Sequence, residues 1–140
     1  MIVIDASVAV KWYRPEANSD GALEVLVANA PNIRAPDTFA VEVASALVRE
    51  ANIDKAWAPD ALTSLTQFQA LCENGGLSLV RATPEFLTAS ANLAINLGHP
   101  LKDCLYLALA MKLGCELVTC DARFAAKARG VWDKMRVLGE

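Results

Sequence analysis

This 140-residue sequence predicts an α/β fold built on a parallel sheet. Short β-branched and apolar runs of strand length alternate with longer runs of helical periodicity. Proline, glycine and capping residues stand at most junctions between them. That alternation is the signature of βα units. No repeat, low-complexity tract or linker interrupts it, so residues 1–140 read as a single domain large enough to bury a core.

Met1 to Asp5 is short and β-branched, hence a buried strand. Ser7 to about Tyr13 is a short helix broken near Pro15. Ser19 to Ala30 is a second helix with Leu23, Leu26 and Val27 on one side. Ile33 to Ala35 is a weak strand before Pro36. Asp37 or Thr38 can cap the next helix, which runs to about Ala51 with Phe39, Val43 and Leu47 along one stripe and Ala40, Ala44 and Val48 along the next. A helix from Pro59 stops near Asn74, where Gly75 and Gly76 follow. Leu77 to Arg81 is a strand. Thr83 caps a helix with Pro84 in its first turn, ending near Gly98. Pro100 opens another helix, Leu101 to Leu113, closed by Gly114. Glu116 to Cys120 is a strand, Asp121 caps a short helix to about Arg129, and Lys134 to Leu138 is a last strand. Right-handed crossovers then place helices on both faces of the sheet.

Composition narrows the function. With 54% hydrophobic and 21% charged residues the chain is globular, not disordered. No apolar run approaches the roughly 20 residues that span a bilayer, and the N-terminus lacks a signal peptide, so the expected compartment is the cytoplasm. The four cysteines (Cys72, Cys104, Cys115, Cys120) form no C-x-x-C pair and read as small buried hydrophobes. A net charge of −3 argues against a surface coated in phosphate contacts. Residues 121–140 nevertheless hold five basic against three acidic side chains, a face able to meet RNA or simply to be solvated.

In open α/β sheets, sites collect beyond the carboxyl ends of the strands. Four acids lie there. Asp5 ends the first strand, Asp121 follows the fourth, Asp103 sits in the first turn of the helix opened by Pro100, and Glu42 interrupts the apolar run Phe39–Ala44. Each has a plain alternative as a cap, a helix-dipole partner or a solvated side chain. Together in one crevice they would repel one another and resist ionising, a conflict that a hard divalent cation removes. All-oxygen ligation selects Mg²⁺ or Mn²⁺. With His99 the only histidine, neither a histidine-based metal site nor a serine–histidine–acid triad can be assembled convincingly, and His99 itself reads as a helix-entry residue.

Four segments resemble a known family. They are Val3-Ile4-Asp5-Ala6-Ser7; Glu42 with Val43-Ala44-Ser45-Ala46-Leu47; His99-Pro100-Leu101-Lys102-Asp103-Cys104-Leu105-Tyr106-Leu107-Ala108-Leu109-Ala110; and Leu117-Val118-Thr119-Cys120-Asp121-Ala122-Arg123-Phe124. In order and spacing they resemble the PIN domain, in particular its VapC-like toxins. The resemblance implies a three-layer α/β/α fold with a five-stranded parallel sheet. It implies an Mg²⁺- or Mn²⁺-dependent endoribonuclease, often a homodimer, held in check by a cognate VapB-like antitoxin. Carried over by position, Asp5, Glu42, Asp103 and Asp121 are the catalytic acids, with Asp5, Asp103 and Asp121 as metal ligands. Ser7 and Thr119 occupy the family's small hydroxyl positions, orienting a carboxylate or water. Lys11, Arg14, Lys102 and Arg123 are candidate phosphate contacts by proximity. Ala122-Arg123-Phe124 follows Asp121 where some relatives carry a further acid, which leaves a second metal open.

Two other classes compete. A receiver-like or haloacid-dehalogenase-like phosphotransfer domain also uses strand-end acids, but Ala82-Thr83-Pro84 follows the third strand and Ser7 stands two residues after Asp5, where those folds need an acid. A non-catalytic PIN-like binding module would dock a partner through exposed apolar residues, with Trp12 and Trp57 as candidates.

Overall fold

A computed structural model describes all residues 1–140. The elements run β1 (Ile2–Ile4), α1 (Ala6–Val10), α2 (Ser19–Asn29), β2 (Ile33–Pro36), α3 (Thr38–Ile53), a 3₁₀ turn (Lys55–Trp57), α4 (Ala58–Glu73), β3 (Ser78–Val80), α5 (Pro84–Leu97), α6 (Leu101–Leu113), β4 (Glu116–Thr119), α7 (Ala122–Ala128) and β5 (Met135–Val137). The five strands form one parallel sheet in the order β3-β2-β1-β4-β5, the middle layer of an α/β/α sandwich. From β1 the chain builds outward to β2 and β3 on one side, then returns to place β4 and β5 on the other. The order therefore reverses between β1 and β4, and the crevice at their carboxyl ends is the expected place for a ligand.

The register shows what meets there. Ile4 pairs with Val118, and Asp5 N–H donates to the Val118 carbonyl, so Asp5 and Thr119 emerge side by side above the sheet. β1 is buried throughout, as a central parallel strand must be, whereas the edge strand β3 leaves Ser78 and Leu79 exposed. α6 packs on β1, β2 and β4 beneath α5 and is buried from Cys104 to Ala110, which explains an apolar run without a polar stripe. Phe39, Phe68, Tyr106 and Phe124 are the largest fully buried rings. Phe39 meets Phe68 and Tyr106 edge-to-face, joining α3, α4 and α6 into one core.

Several local expectations change. On α2 the buried residues are Ala22 and Val25, with Leu26 half-buried, while Leu23 and Val27 face solvent. The helix packs closely through its small residues: a Cβ on Gly21 would already touch Leu138. Neither expected cap of α3 forms. The Asp37 carboxylate instead accepts from Ala82 N–H beyond β3, and the buried Thr38 hydroxyl has no hydrogen-bond partner. The caps of α5 and α7 do form, from Thr83 to Phe86 N–H and from Asp121 to Phe124 N–H. Cys104 and Cys115 are buried, Cys72 and Cys120 half-buried, and all four are free. Trp12 and Trp57 make no exposed groove: Trp12 Nε1–H donates to the Ala22 carbonyl, and Trp57 lies under the Arg14 guanidinium at 4.4 Å. No helix is long and apolar enough to cross a membrane.

Candidate active site and metal centre

Asp5 is the floor of the site. It leaves β1 in extended conformation and caps α1, Oδ1 accepting from Ser7 N–H at 2.9 Å and from the Ser7 hydroxyl, while the Thr119 hydroxyl donates to Oδ2. The two hydroxyls are themselves anchored, because Cys120 N–H donates to Ser7 Oγ and Asp121 N–H to Thr119 Oγ1, each at 3.0 Å. Cap and site residue are thus one and the same. A carboxylate has about four acceptor positions, so these three bonds leave about one free, on Oδ2.

The other three acids arrive from three further elements. Asp121 caps α7 through Oδ1. Asp103, in the first turn of α6, is hydrogen-bonded through Oδ2 to His99 Nε2 at 2.7 Å. Glu42, in the second turn of α3, accepts from the Tyr106 hydroxyl at 3.0 Å through Oε2. All four line one cleft of about 550 Å³, with Ser7, Lys11, Arg49, Glu50, Lys102 and Cys120 among its other walls. The donor atoms of His99, Asp103 and Asp121 come within 4.8 Å of one another, a group that holds two of the three expected metal ligands and has His99 in place of Asp5.

The electrostatics follow from burial. Burial pushes the Asp5 carboxyl up to about 6 against the pull of the Ser7 and Thr119 hydrogen bonds, and Asp103 adds to the rise. Burial likewise raises Glu42, opposed by the Tyr106 hydrogen bond and the Lys102 charge and helped by Asp103 and Asp5. Tyr106 is raised by burial and by Glu42, and stays a phenol that donates. Clustered carboxylates that resist ionising fit a hard divalent cation, whose charge offsets their repulsion and whose preference is for oxygen donors.

The basic candidates divide. Lys102 and Lys11 reach the cleft, although Lys11 also holds Glu16 and the Ala17 carbonyl. Arg14 does not line it: its guanidinium pairs with Asp54 and Glu50 over Trp57. Arg123 is exposed on α7 outside the cleft walls. Of the other C-terminal cations, Lys127 and Lys134 bind the Gly98 and Gly114 carbonyls, Arg129 pairs with Glu140 and Arg136 with Glu116, which leaves little free basic face. Three residues in or beside the cleft stand outside the candidate set: Arg49 lines it, while Tyr106 and His99 contact its acids. Arg49 lies two turns beyond Glu42 on α3 and makes no ion pair, so its spacing is a signal that could have found it. Tyr106 lies three residues after Asp103, and a phenol inside an aliphatic helix needs a partner. The third is His99.

A family model described as PIN domain matches residues 2–130. The ribonuclease VapC3 of Pyrobaculum aerophilum is 32% identical over 129 residues, covering 90% of this chain and 93% of that protein. Among solved structures, the Mycobacterium tuberculosis toxin VapC20, described as cleaving the sarcin–ricin loop, superposes with a TM-score of 0.71 at 14% identity, covering 90% of this chain and 94% of that one. A toxin–antitoxin complex from Klebsiella pneumoniae gives 0.68 at 14% identity, covering 100% and 99%. With the strand order, the cleft and these likenesses in agreement, the chain belongs to the PIN-domain family.

Proposed function

We propose that this protein is an Mg²⁺- or Mn²⁺-dependent endoribonuclease, the toxin of a VapBC-like toxin–antitoxin pair. The observation that carries the reading is that Asp5, Glu42, Asp103 and Asp121, from four separate elements, line one cleft at the sheet's switch point. Asp5 and Glu42 are held up by burial and by their acidic neighbours, a cost that a divalent cation in the cleft would offset. Asp5, Asp103 and Asp121 would hold the ion, and Glu42 would complete the acidic set. When bound, the ion supplies Lewis acidity for phosphodiester hydrolysis by water. Ser7 and Thr119 fix the Asp5 carboxylate, Tyr106 fixes Glu42, and Lys102 with Lys11 offers positive charge to phosphate oxygens.

The 32% identical relative supports the nuclease, being itself a ribonuclease. The Klebsiella complex supports an antitoxin partner. A second, more apolar groove of about 760 Å³ between α3 and α4, lined by Val41, Ala44, Val48, Ile53 and Leu65, supports protein docking next to the cleft, with which it shares Ser45 and Arg49. Homodimerisation and a cytoplasmic setting complete the proposal. One core and one sheet running from Ile2 to Val137 support residues 1–140 acting as one domain.

Growth of a bacterial host expressing the chain tests the reading. Expressed alone, the wild type should arrest growth and Asp5→Asn should not, while both proteins should capture the antitoxin when it is co-expressed. Toxicity retained by a folded Asp5→Asn protein would contradict the nuclease and leave a binding module.

A further inference from the structure

Each acid of the cleft has a donor of its own within the chain. Asp5 has Ser7 and Thr119, Glu42 has Tyr106, Asp121 has the Phe124 N–H, and Asp103 has His99. The last pairing is the least expected, because His99 is the chain's single histidine and lies outside α6, in the short α5–α6 junction. That junction is rigid. Gly98 takes the left-handed conformation that ends α5, at φ 61°, and Pro100 fixes the entry to α6. Between them, His99 N–H donates to the Ala94 carbonyl at 3.0 Å, and the Lys127 ammonium binds the Gly98 carbonyl at 2.9 Å. The imidazole stacks on the buried Phe124 ring, 4.8 Å between centroids and 24° between planes. Only 11% of the side chain is exposed. Phe124 belongs to the helix that Asp121 caps, so one stack ties the junction to both acids.

We infer that His99 is a positioning residue for the metal centre: its Nε2–H holds Asp103 Oδ2, fixing the carboxylate so that its free oxygen, Oδ1, is presented to the divalent ion. A carboxylate that ligates an ion only accepts, so in the metal-bound site the imidazole is the donor, and 2.7 Å is the length of a charge-assisted N–H···O⁻ bond. Ligation through Nε2 would need a bare lone pair there, which at this distance would face the lone pairs of Asp103, so a ligating His99 would have to use Nδ1. The inference rests on the metal-dependent reading proposed above.

Mn²⁺ affinity measured by titration calorimetry separates the possibilities, with melting in chelator as the check on folding. His99→Phe keeps a ring for Phe124 and removes the donor; His99→Gln keeps an N–H donor and removes the stack. The expectation is that His99→Phe binds Mn²⁺ on the order of 10- to 100-fold more weakly, as loss of an outer-shell partner does, and that His99→Gln stays within roughly threefold of the wild type. If His99→Phe does not fold, His99→Ala provides the donor-free protein. Wild-type affinity in the donor-free variant overturns the inference, as does a His99→Gln protein no better than His99→Phe. Nitrogen hyperfine coupling from a bound imidazole in the electron spin resonance of the wild-type Mn²⁺ complex would also overturn it, by making His99 a ligand. A folded wild type that binds no Mn²⁺ overturns the metal reading itself, and the inference falls with it.

Discussion

Replacing Asp5 by asparagine should stabilise the metal-free protein at neutral pH. Asp5 is buried, and its carboxyl is raised from 3.8 to about 6. A group that binds its proton more tightly folded than unfolded contributes full stability below the unfolded value and loses it as pH rises through the folded one. The wild type in chelator should therefore lose roughly 2.4 kcal/mol between pH 4 and pH 7, at 1.36 kcal/mol per pH unit of displacement, because at pH 4 the unfolded carboxyl is already more than half ionised. Asparagine cannot ionise and so avoids the loss. It still caps α1 well, although one of the Ser7 and Thr119 hydroxyls must turn to accept from its amide. Thermal melts in chelator should place Asp5→Asn roughly 5–10 °C above the wild type at pH 7 and close to it at pH 4. Mn²⁺ at about 100 times its dissociation constant should then add about 2.7 kcal/mol to the wild type and nothing comparable to the variant. A wild type equally stable at pH 4 and pH 7, or a variant less stable at pH 7, would refute the argument that the hydrogen bonds to Asp5 only partly offset its burial.

Other substitutions test the rest of the cleft. Tyr106→Phe removes the hydrogen bond that lowers Glu42, so Glu42 should move further up and the acid limb of the pH–rate profile should shift to higher pH, at a stability cost of about 1 kcal/mol in denaturant titration. Arg49→Ala should weaken RNA binding and reduce the salt slope by about 1 while leaving the melting temperature unchanged, as expected for a phosphate contact on an exposed residue. Phe39→Ala should cost roughly 3–5 kcal/mol by urea denaturation, because the ring is fully buried between Phe68 and Tyr106.

The sheet and the acids were legible because both obey local rules. A strand that is apolar on both faces and ends in an acid, as Ile2–Ile4 before Asp5, announces a central position and a site at once. Asp121 was legible for the same reason, and Glu42 because it breaks an apolar run. What was not legible depended on tertiary neighbours. Leu23 and Val27 look like the buried face of α2, yet the helix packs through Ala22 and Val25, since closeness of approach and not side-chain size decides that contact. Asp37 looks like a cap for α3, but the Ala82 N–H across the chain takes its carboxylate. Arg14 sits near the first motif in sequence and is spoken for by Glu50, Asp54 and Trp57 in space. His99 and Tyr106 stand inside a motif that could be read, but their partners, Asp103 one turn away and Glu42 on another helix, required the fold.

The most direct test of the central claim is cleavage of a mixed pool of cellular RNA by antitoxin-free protein, run with Mg²⁺, with Mn²⁺, with chelator, and with Asp5→Asn. Discrete cuts that need the metal and disappear in the variant are the predicted result. An intact RNA pool, from folded wild-type protein with metal bound, would contradict it.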